Sequence, residues 1–561
     1  MAFKDDIVRV LEKETTLKKE EIAAVLEVPP DRKLGDFAFP CFMLAKKYKR
    51  NPVEIAKELS KLKVPGISEI RAVGPYVNFF VDVGLLSRQT LSRILKEKKD
   101  YGESKEKKET VMVEFFHANT HKGVHIGHIR NISIGAALCN LLEAVGKKVI
   151  RVNYQGDIGP HVAKGIWGYM HFKEKEPAQH KGVWLGKIYA KASKSVEENK
   201  KYEAEVQELN KKIYEHDKGI VKIWEKTRKW CLDDFNAFYT DFGVAFDRLY
   251  FESETEKAGK EVMLTLLKKK IAEESEGAVI MDLKKYGLGV YVGITQQEHG
   301  TYNAKDLGLA LLKQKEFTFD KSIHVVGSEQ ELYFKQLFKT FELLKSPLAG
   351  RSHHVSYGLV MLPEGKMSSR EGTMVLYDNL FAELMQLSEK EIVKRHKGLP
   401  KKEVEKRARM IVFGALKYSM ISRENSSVLV FDWEKALDFE GDTGPYIQYA
   451  HARCASILRK AGKFRANANY SLLSTDYEKM IITQLSDFEE TLRQAALQYK
   501  PYLVAKYCLD LAQAFNVFYH HCPVISELTE IMHARLMLVQ SVKQVLENGL
   551  HLLGIEAPDE M

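Results

Sequence analysis

Residues 119–131 read Asn-Thr-His-Lys-Gly-Val-His-Ile-Gly-His-Ile-Arg-Asn, so His125 and His128 flank Gly127 with Lys122 just upstream. Imidazoles and a lysine offer hydrogen-bond donors to phosphate oxygens, and Gly127 leaves room for a flat base against the backbone. The stretch falls directly after an apolar run at 111–116 and directly before an apolar-periodic run ending near Gly146. A junction from strand to helix collects unpaired N–H groups at the positive end of the helix dipole, which suits a phosphate-bearing ligand. A second stretch, Gly365-Lys366-Met367-Ser368-Ser369-Arg370-Glu371-Gly372, joins small residues, hydroxyls and cations in a mobile loop that can fold over a triphosphate. Either stretch by itself also fits a polar surface turn. In this order on one split sheet they become specific.

Such residues need a parallel sheet behind them. A strand at 111–116, a helix from about 125 to 145 and a strand at 148–153 predict a βαβ unit. Ligands on such sheets bind at the carboxyl ends of the strands, where the two histidines fall. Strand character returns at 278–282, 289–292 and 323–326, after a strongly helical, charged stretch from about 160 to 275, so the sheet is expected to be split by a helical insertion. The first hundred residues read as a separate α+β unit, with helices near 4–14, 41–48 and 52–62 and an alternating strand at 76–82; it closes in a polar run at 96–109. Past Asp378 the apolar periodicity is helical as far as Leu552. The expected fold class is α/β: a Rossmann-type parallel sheet split by a helical insertion, with an N-terminal α+β domain and a C-terminal all-α bundle. The expected divisions are 1–108, 109–380, a connecting helical segment at 381–439, and 440–561.

A chain of 561 residues has room for three or more domains. Its 45% hydrophobic and 29% charged residues are those of a soluble globular protein. No run of 18 apolar residues occurs, and the N-terminus lacks the apolar core of a signal peptide, so a cytoplasmic protein with no membrane partner is expected. Six dispersed cysteines form no Cys-x-x-Cys pair, which predicts buried thiols, no zinc and no other protein-bound metal. The formal charge of +9 is compatible with a polyanionic partner. Basic clusters at 394–397 and 401–409 can meet phosphates, although a solvated helix face explains them as simply.

Together the two motifs resemble the signature pair of class I aminoacyl-tRNA synthetases, His-Ile-Gly-His and Lys-Met-Ser-Lys-Ser. Residues 114–125, Glu-Phe-Phe-His-Ala-Asn-Thr-His-Lys-Gly-Val-His, are similar to the arginyl-tRNA synthetase form, in which Glu, Asn and Lys precede the first histidine at these spacings. Further similarity lies at 301–306, 326–330, 354–360, 444–450 and 552–561. The resemblance covers nearly the whole chain, including an N-terminal domain that this family carries.

The resemblance implies an arginine–tRNA ligase: arginine, ATP with Mg2+, and tRNA(Arg) give arginyl-tRNA, AMP and pyrophosphate through an adenylate, with activation dependent on bound tRNA. A guanidinium pocket requires carboxylates, because the planar fork pairs with them bidentately. The family assigns Glu114, Tyr302 and Asp306 to that end of arginine, and Asn119, His125 and Gln330 to the α-amino and carboxylate end. Lys122, His125, His128 and Lys366 are the catalytic candidates. ATP is expected on His125, Gly127, His128, Lys366, Ser368 and Ser369. Anticodon contacts fall on Tyr449, Tyr519 and Met561 of the anticodon-binding bundle, although a tyrosine in a helical bundle is as readily core. Ser369 replaces the second lysine of the family loop, and Lys122 stands where a compensating lysine is expected. Lys305 and Gly123 stand where the family commonly has Arg and Pro. A class I lysyl or glutamyl enzyme and a non-catalytic tRNA-binding paralogue are the alternatives. A monomer is expected, since no separate dimerisation segment is evident.

Overall fold

Five parallel strands carry the chemistry-bearing segments, in the spatial order Ser352–Tyr357, Lys321–Gly327, Thr110–Glu114, Lys148–Gln155, Arg248–Phe251. The computed structural model describes residues 2–29, 31–104, 109–296, 300–363, 375–464, 468–526 and 529–561. Lys366, Ser368 and Ser369 therefore lie outside the described residues. The strand sequences, such as Thr-Val-Met-Val-Glu and Lys-Ser-Ile-His-Val-Val-Gly, are apolar without strict alternation, as expected of strands covered on both faces. Chain order reverses beside the first strand, whose neighbours are the second and the fourth. That reversal opens a crevice at the strands' carboxyl ends.

The helix Ile126–Ala144 returns the chain from the first strand to the second and is buried along most of its length. Arg130, fully buried on it, donates to the carbonyls of Gly358 (2.7 Å) and Asn425 (3.1 Å), tying down the chain beyond the fifth strand. Between the second and third strands four helices, Pro160–Phe172, Lys181–Glu198, Lys200–Tyr214 and Lys218–Phe242, pack on a core of their own that includes Val162, Ile166, Trp167 and Leu209.

Two expectations need correction. The helical insertion expected at about 160–275 is interrupted by Arg248–Phe251, which joins the parallel sheet beside Lys148–Gln155; four residues are too few to show a period in sequence. The strands expected at 278–282 and 289–292 do not belong to the parallel sheet. Ala278–Asp282 and Val290–Ile294 form a separate antiparallel sheet with Glu273–Ser275. The links between them are short, and a short link can only join antiparallel neighbours.

Packing divides the chain into two units. One holds Met1–Lys98, Ile457–Asp487 and Gln513–Val545; the other holds Lys99–Ser456, Phe488–Ala512 and Leu546–Met561. In the first, the antiparallel strands Phe37–Pro40, Tyr76–Val81 and Ile67–Val73 cover Ile7, Leu11, Leu44 and Ile55 from the N-terminal helices. The segment expected as one bundle over 440–561 contributes to both units, because periodicity marks a helix but not what it packs against. All six cysteines are buried and free.

Gly135 lies on the face of Ile126–Ala144 that meets the ring of Phe115, where any Cβ would collide with ring atoms. Gly135→Ala is expected to destabilise this unit by about 1–3 kcal/mol through overpacking, read as a lower midpoint in chemical denaturation.

Candidate active site

The first strand ends in a backbone that costs energy to hold. Phe116 (φ 85°), His117 (φ 52°) and His121 (φ 63°) all adopt left-handed conformations that bulky residues avoid. Two asparagine side chains and one backbone carbonyl hold this course. The Phe116 N–H donates to Asn131 Oδ1 (2.5 Å), while Asn131 Nδ2 donates to the Val325 carbonyl (2.9 Å) and Tyr357 Oη (3.0 Å). The His117 N–H donates to Asn153 Oδ1 (3.2 Å), and Thr120 N–H donates to the Gly156 carbonyl (2.9 Å). The loop thus crosses the ends of the first, second and fourth strands.

At the turn itself two histidines cap one helix. His125 is the N-cap of Ile126–Ala144, and its Nδ1 accepts from the Gly127 N–H at 3.2 Å. His128 Nδ1 accepts from the His125 N–H at 3.1 Å, and the rings lie 3.8 Å apart. An Nδ1 that accepts carries no proton, so both rings are Nε2–H tautomers. Burial, then Lys122, pushes His125 down to about 4; burial, then His125, holds His128 well below the imidazole range. The turn therefore presents two neutral donors at the helix N-terminus, beside the ammonium of Lys122.

Residues 375–377, which follow the second motif in sequence, are fastened to this turn. The Ile126 N–H donates to the Val375 carbonyl (3.2 Å) and the Tyr377 N–H to the Val124 carbonyl (2.9 Å), with His125 opposite Leu376. Tyr377 Oη in turn donates to Asp241 Oδ2 (3.2 Å). Residues about 250 positions apart in sequence are thus joined through their backbones at this turn.

At the end of the first strand lies a small cavity lined by Glu114, Asp306, Leu309, Ala310, Lys313 and His324. Glu114 is buried; Lys313 Nζ pairs with its Oε2, and His324 Nδ1 lies 3.1 Å from its Oε1. Burial works to raise its carboxyl, but Lys313 and His324 outweigh it and hold the group well below the usual range. Asp306 accepts from Tyr333 Oη and makes no ion pair among the described residues. Burial pushes its carboxyl up to about 7 despite that bond. Asn119 and Glu252 both face Gly156, where a Cβ would strike Asn119 Oδ1 and lie 3.2 Å from Glu252 Oε1. Glu252 pairs with Lys305 at 2.6 Å, both largely buried.

The catalytic-domain family of class I tRNA synthetases of the arginine (R) type matches residues 90–433, the DALR anticodon binding domain matches 447–561, and the arginyl-tRNA synthetase N-terminal domain matches 1–81. An arginine–tRNA ligase of Clostridioides difficile is 37% identical over 556 residues, covering 98% of each chain. One from Clostridium botulinum is 34% identical over all of both chains. The chain belongs to the arginyl-tRNA synthetase family. The arginyl-tRNA synthetase of Thermus thermophilus shares the architecture, with a TM-score of 0.80 at 27% identity over 100% of this chain and 99% of that one. The Plasmodium falciparum enzyme shows the same fold at 20% identity, with a TM-score of 0.77 over 98% of this chain and 99% of that one.

Set against the family pattern, the structure brings Glu114 and Asp306 into one cavity and gathers Lys122, His125, Gly127 and His128 at one turn. Glu114 has a partner on each oxygen, Lys313 on one and His324 on the other, as a carboxylate this deeply buried requires. Tyr302 opens the helix Tyr302–Glu316 behind the N-cap Thr301 and is 64% exposed, although Asp306 one turn on faces inward. Gln330 is exposed at the end of the short turn Ser328–Gln330. Of the anticodon candidates, Tyr449 lies under the Arg453 guanidinium (4.7 Å), Tyr519 is exposed, and Met561 packs against the cluster of Ile392, Val404, Ala408 and Ile411.

Sequence reasoning missed Glu252, Lys313, His324 and Tyr333. Lys313 was within reach, since 306, 309, 310 and 313 repeat on one helix face; the others depend on which strands and helices become neighbours.

Two outcomes follow for this cavity. Lys313→Met, which leaves the buried Glu114 without its cation and with only His324 beside it, is expected to destabilise the unit by about 3–5 kcal/mol, measurable by chemical denaturation. The Asp306 carboxyl titrates near 7 when folded against an ordinary 3.8, so this group erodes stability as pH rises between those values and favours a cation only once ionised. Affinity for a guanidinium ligand is therefore expected to fall by up to about tenfold per unit as pH drops below about 7. A flat affinity in titration calorimetry across that range would show that Asp306 does not meet the cation.

Proposed function

We propose that this chain joins arginine to tRNA(Arg) using ATP; relatives 34% to 37% identical to it are named as arginine–tRNA ligases. The observation that carries this reading is the meeting, at one switch point, of an anionic slot with a donor-rich turn. Asp306 supplies the slot's available carboxylate, Glu114 backs it through Lys313 and His324, and Tyr302 and Gln330 close over the amino acid from the rim. His125, His128 and Lys122 face the phosphates, with Gly127 leaving space for the base.

The arginine carboxylate oxygen attacks the α-phosphorus of ATP, and the bond to the β-phosphate oxygen breaks to release pyrophosphate. The chain's own contribution is to hold the reactants in line and stabilise charge on phosphorus. The neutral Nε2–H groups of His125 and His128 donate to phosphate oxygens, and Lys122 with Lys366 forms the cationic clamp, assisted by Ser368 and Ser369. Magnesium enters with the nucleotide's phosphates. The tRNA terminal hydroxyl then takes the arginyl group and AMP leaves. In this reading residues 1–108 and 440–561 meet tRNA through contacts that include Tyr449, Tyr519 and Met561, and the enzyme works as a cytoplasmic monomer.

Pyrophosphate exchange with each amino acid, with and without tRNA, tests the reading. Arginine alone, and only with tRNA, is expected to support exchange. Exchange with lysine or glutamate would move the chain to another class I specificity, and none at all would leave a tRNA-binding paralogue. Lys122→Ala is expected to slow the chemical step at least about 100-fold; an unchanged single-turnover rate would remove Lys122 from the clamp.

A further inference from the structure

The turn that carries Lys122 is gripped from two sides by chain far from it in sequence. On one side Gly186 of the helix Lys181–Glu198 comes so close that a Cβ there would lie 2.9 Å from the Gly123 nitrogen. On the other side Leu376 is seated against Gly123, where a Cβ would lie 2.7 Å from Leu376 Cδ2. Tyr377, the next residue, opens the helix Tyr377–Arg395 and is buried, with its ring 4.7 Å from that of Phe238 and 6.0 Å from that of Phe242. Both phenylalanines belong to the last helix of the insertion, Lys218–Phe242.

Asp241 of the same helix closes the arrangement. Its Oδ2 accepts from Tyr377 Oη at 3.2 Å, and its Oδ1 pairs with Arg409 of the helix Lys401–Ile421. Burial, then Asp241, raises the Tyr377 phenol far above its usual range, so it stays a protonated donor. The Arg409 guanidinium lies over the rings of Phe381 (5.4 Å) and Phe413 (5.1 Å), which fixes its direction. Arg409 and Asp241 are both partly exposed, so their pairing adds little stability. Its effect is on orientation. Residues of the turn and of the insertion line a common cavity of about 80 Å3, among them Lys122, Gly123, Val124, Asp241 and Tyr377. Across a gap of that kind contact packing is forfeited, and a directional bond sets the spacing.

We propose that Asp241 and Tyr377 are positioning residues for amino-acid activation, through which the helical insertion holds the Lys122-bearing turn against the chain at 375–377. The inference rests on the arginine–tRNA ligase reading. Its test is single-turnover adenylate formation with tRNA present, alongside active-site titration, which counts the molecules able to react. Tyr377→Phe, which keeps the ring and removes only the hydroxyl, and Asp241→Ala are each expected to slow the chemical step about three- to tenfold, with KM for arginine changed by less than about twofold. Because both remove the same bond, the double variant is expected to be slower than the slower single variant by no more than about 1.5-fold. Asp241→Asn, which keeps an acceptor for Tyr377 Oη, is expected to recover most of the rate. Unchanged rates, losses that multiply in the double variant, no recovery in Asp241→Asn, or a loss confined to the count of active molecules would each overturn the proposal. A higher KM for arginine at an unchanged rate would do so as well. Wild-type protein that forms no arginyl adenylate would instead overturn the parent reading.

Discussion

The contact between Lys313 and Glu114 is the constraint on which the rest of the site depends. It joins the end of the first strand to the helix Tyr302–Glu316, and His324 adds the fourth strand to the same carboxylate. A buried ion pair of this kind does little for net stability, since its attraction roughly offsets the loss of hydration. What it does instead is settle the charge of the cavity. With Glu114 neutralised by a resident lysine, Asp306 is left as a carboxylate without a matched cation, and burial raises its energy until a cationic ligand arrives. Glu252 is neutralised in the same way by Lys305.

The histidine turn is built on the opposite principle. Its histidines are kept neutral by burial and by the backbone N–H groups that occupy their Nδ1 atoms, which makes them donors of fixed direction rather than mobile charges. Lys122 alone brings charge to that lip among the described residues of the turn. The loop between cavity and lip reaches its course only because Asn131 and Asn153 hold it in left-handed backbone, and both asparagines are themselves anchored to neighbouring strands and helices. Strain and hydrogen bonding thus hold the reacting groups in place before any ligand binds.

The motif from Asn119 to Asn131 was legible because its chemistry is local: a strand, a glycine and paired histidines lie within a few residues. Asp306 came from the family resemblance alone, since nothing in its spacing distinguishes it from Tyr302, which is exposed one turn earlier. Glu252 was hidden behind a strand of four residues, and His324 reads in sequence as one more residue of a buried strand. Ala278–Asp282 and Val290–Ile294 were seen as strands but placed in the wrong sheet, since alternation reports exposure and not the direction of a neighbour.

Local order along the chain determined the βαβ unit, the donor-bearing turn and the helical character of the C-terminal half, because each rests on interactions within a few residues. Tertiary structure alone decided that Glu114 is already paired and that Asp306 is the cavity's available anion. Those outcomes depend on burial and on groups up to about 200 residues apart, and neither desolvation nor a distant partner leaves a mark on the linear pattern.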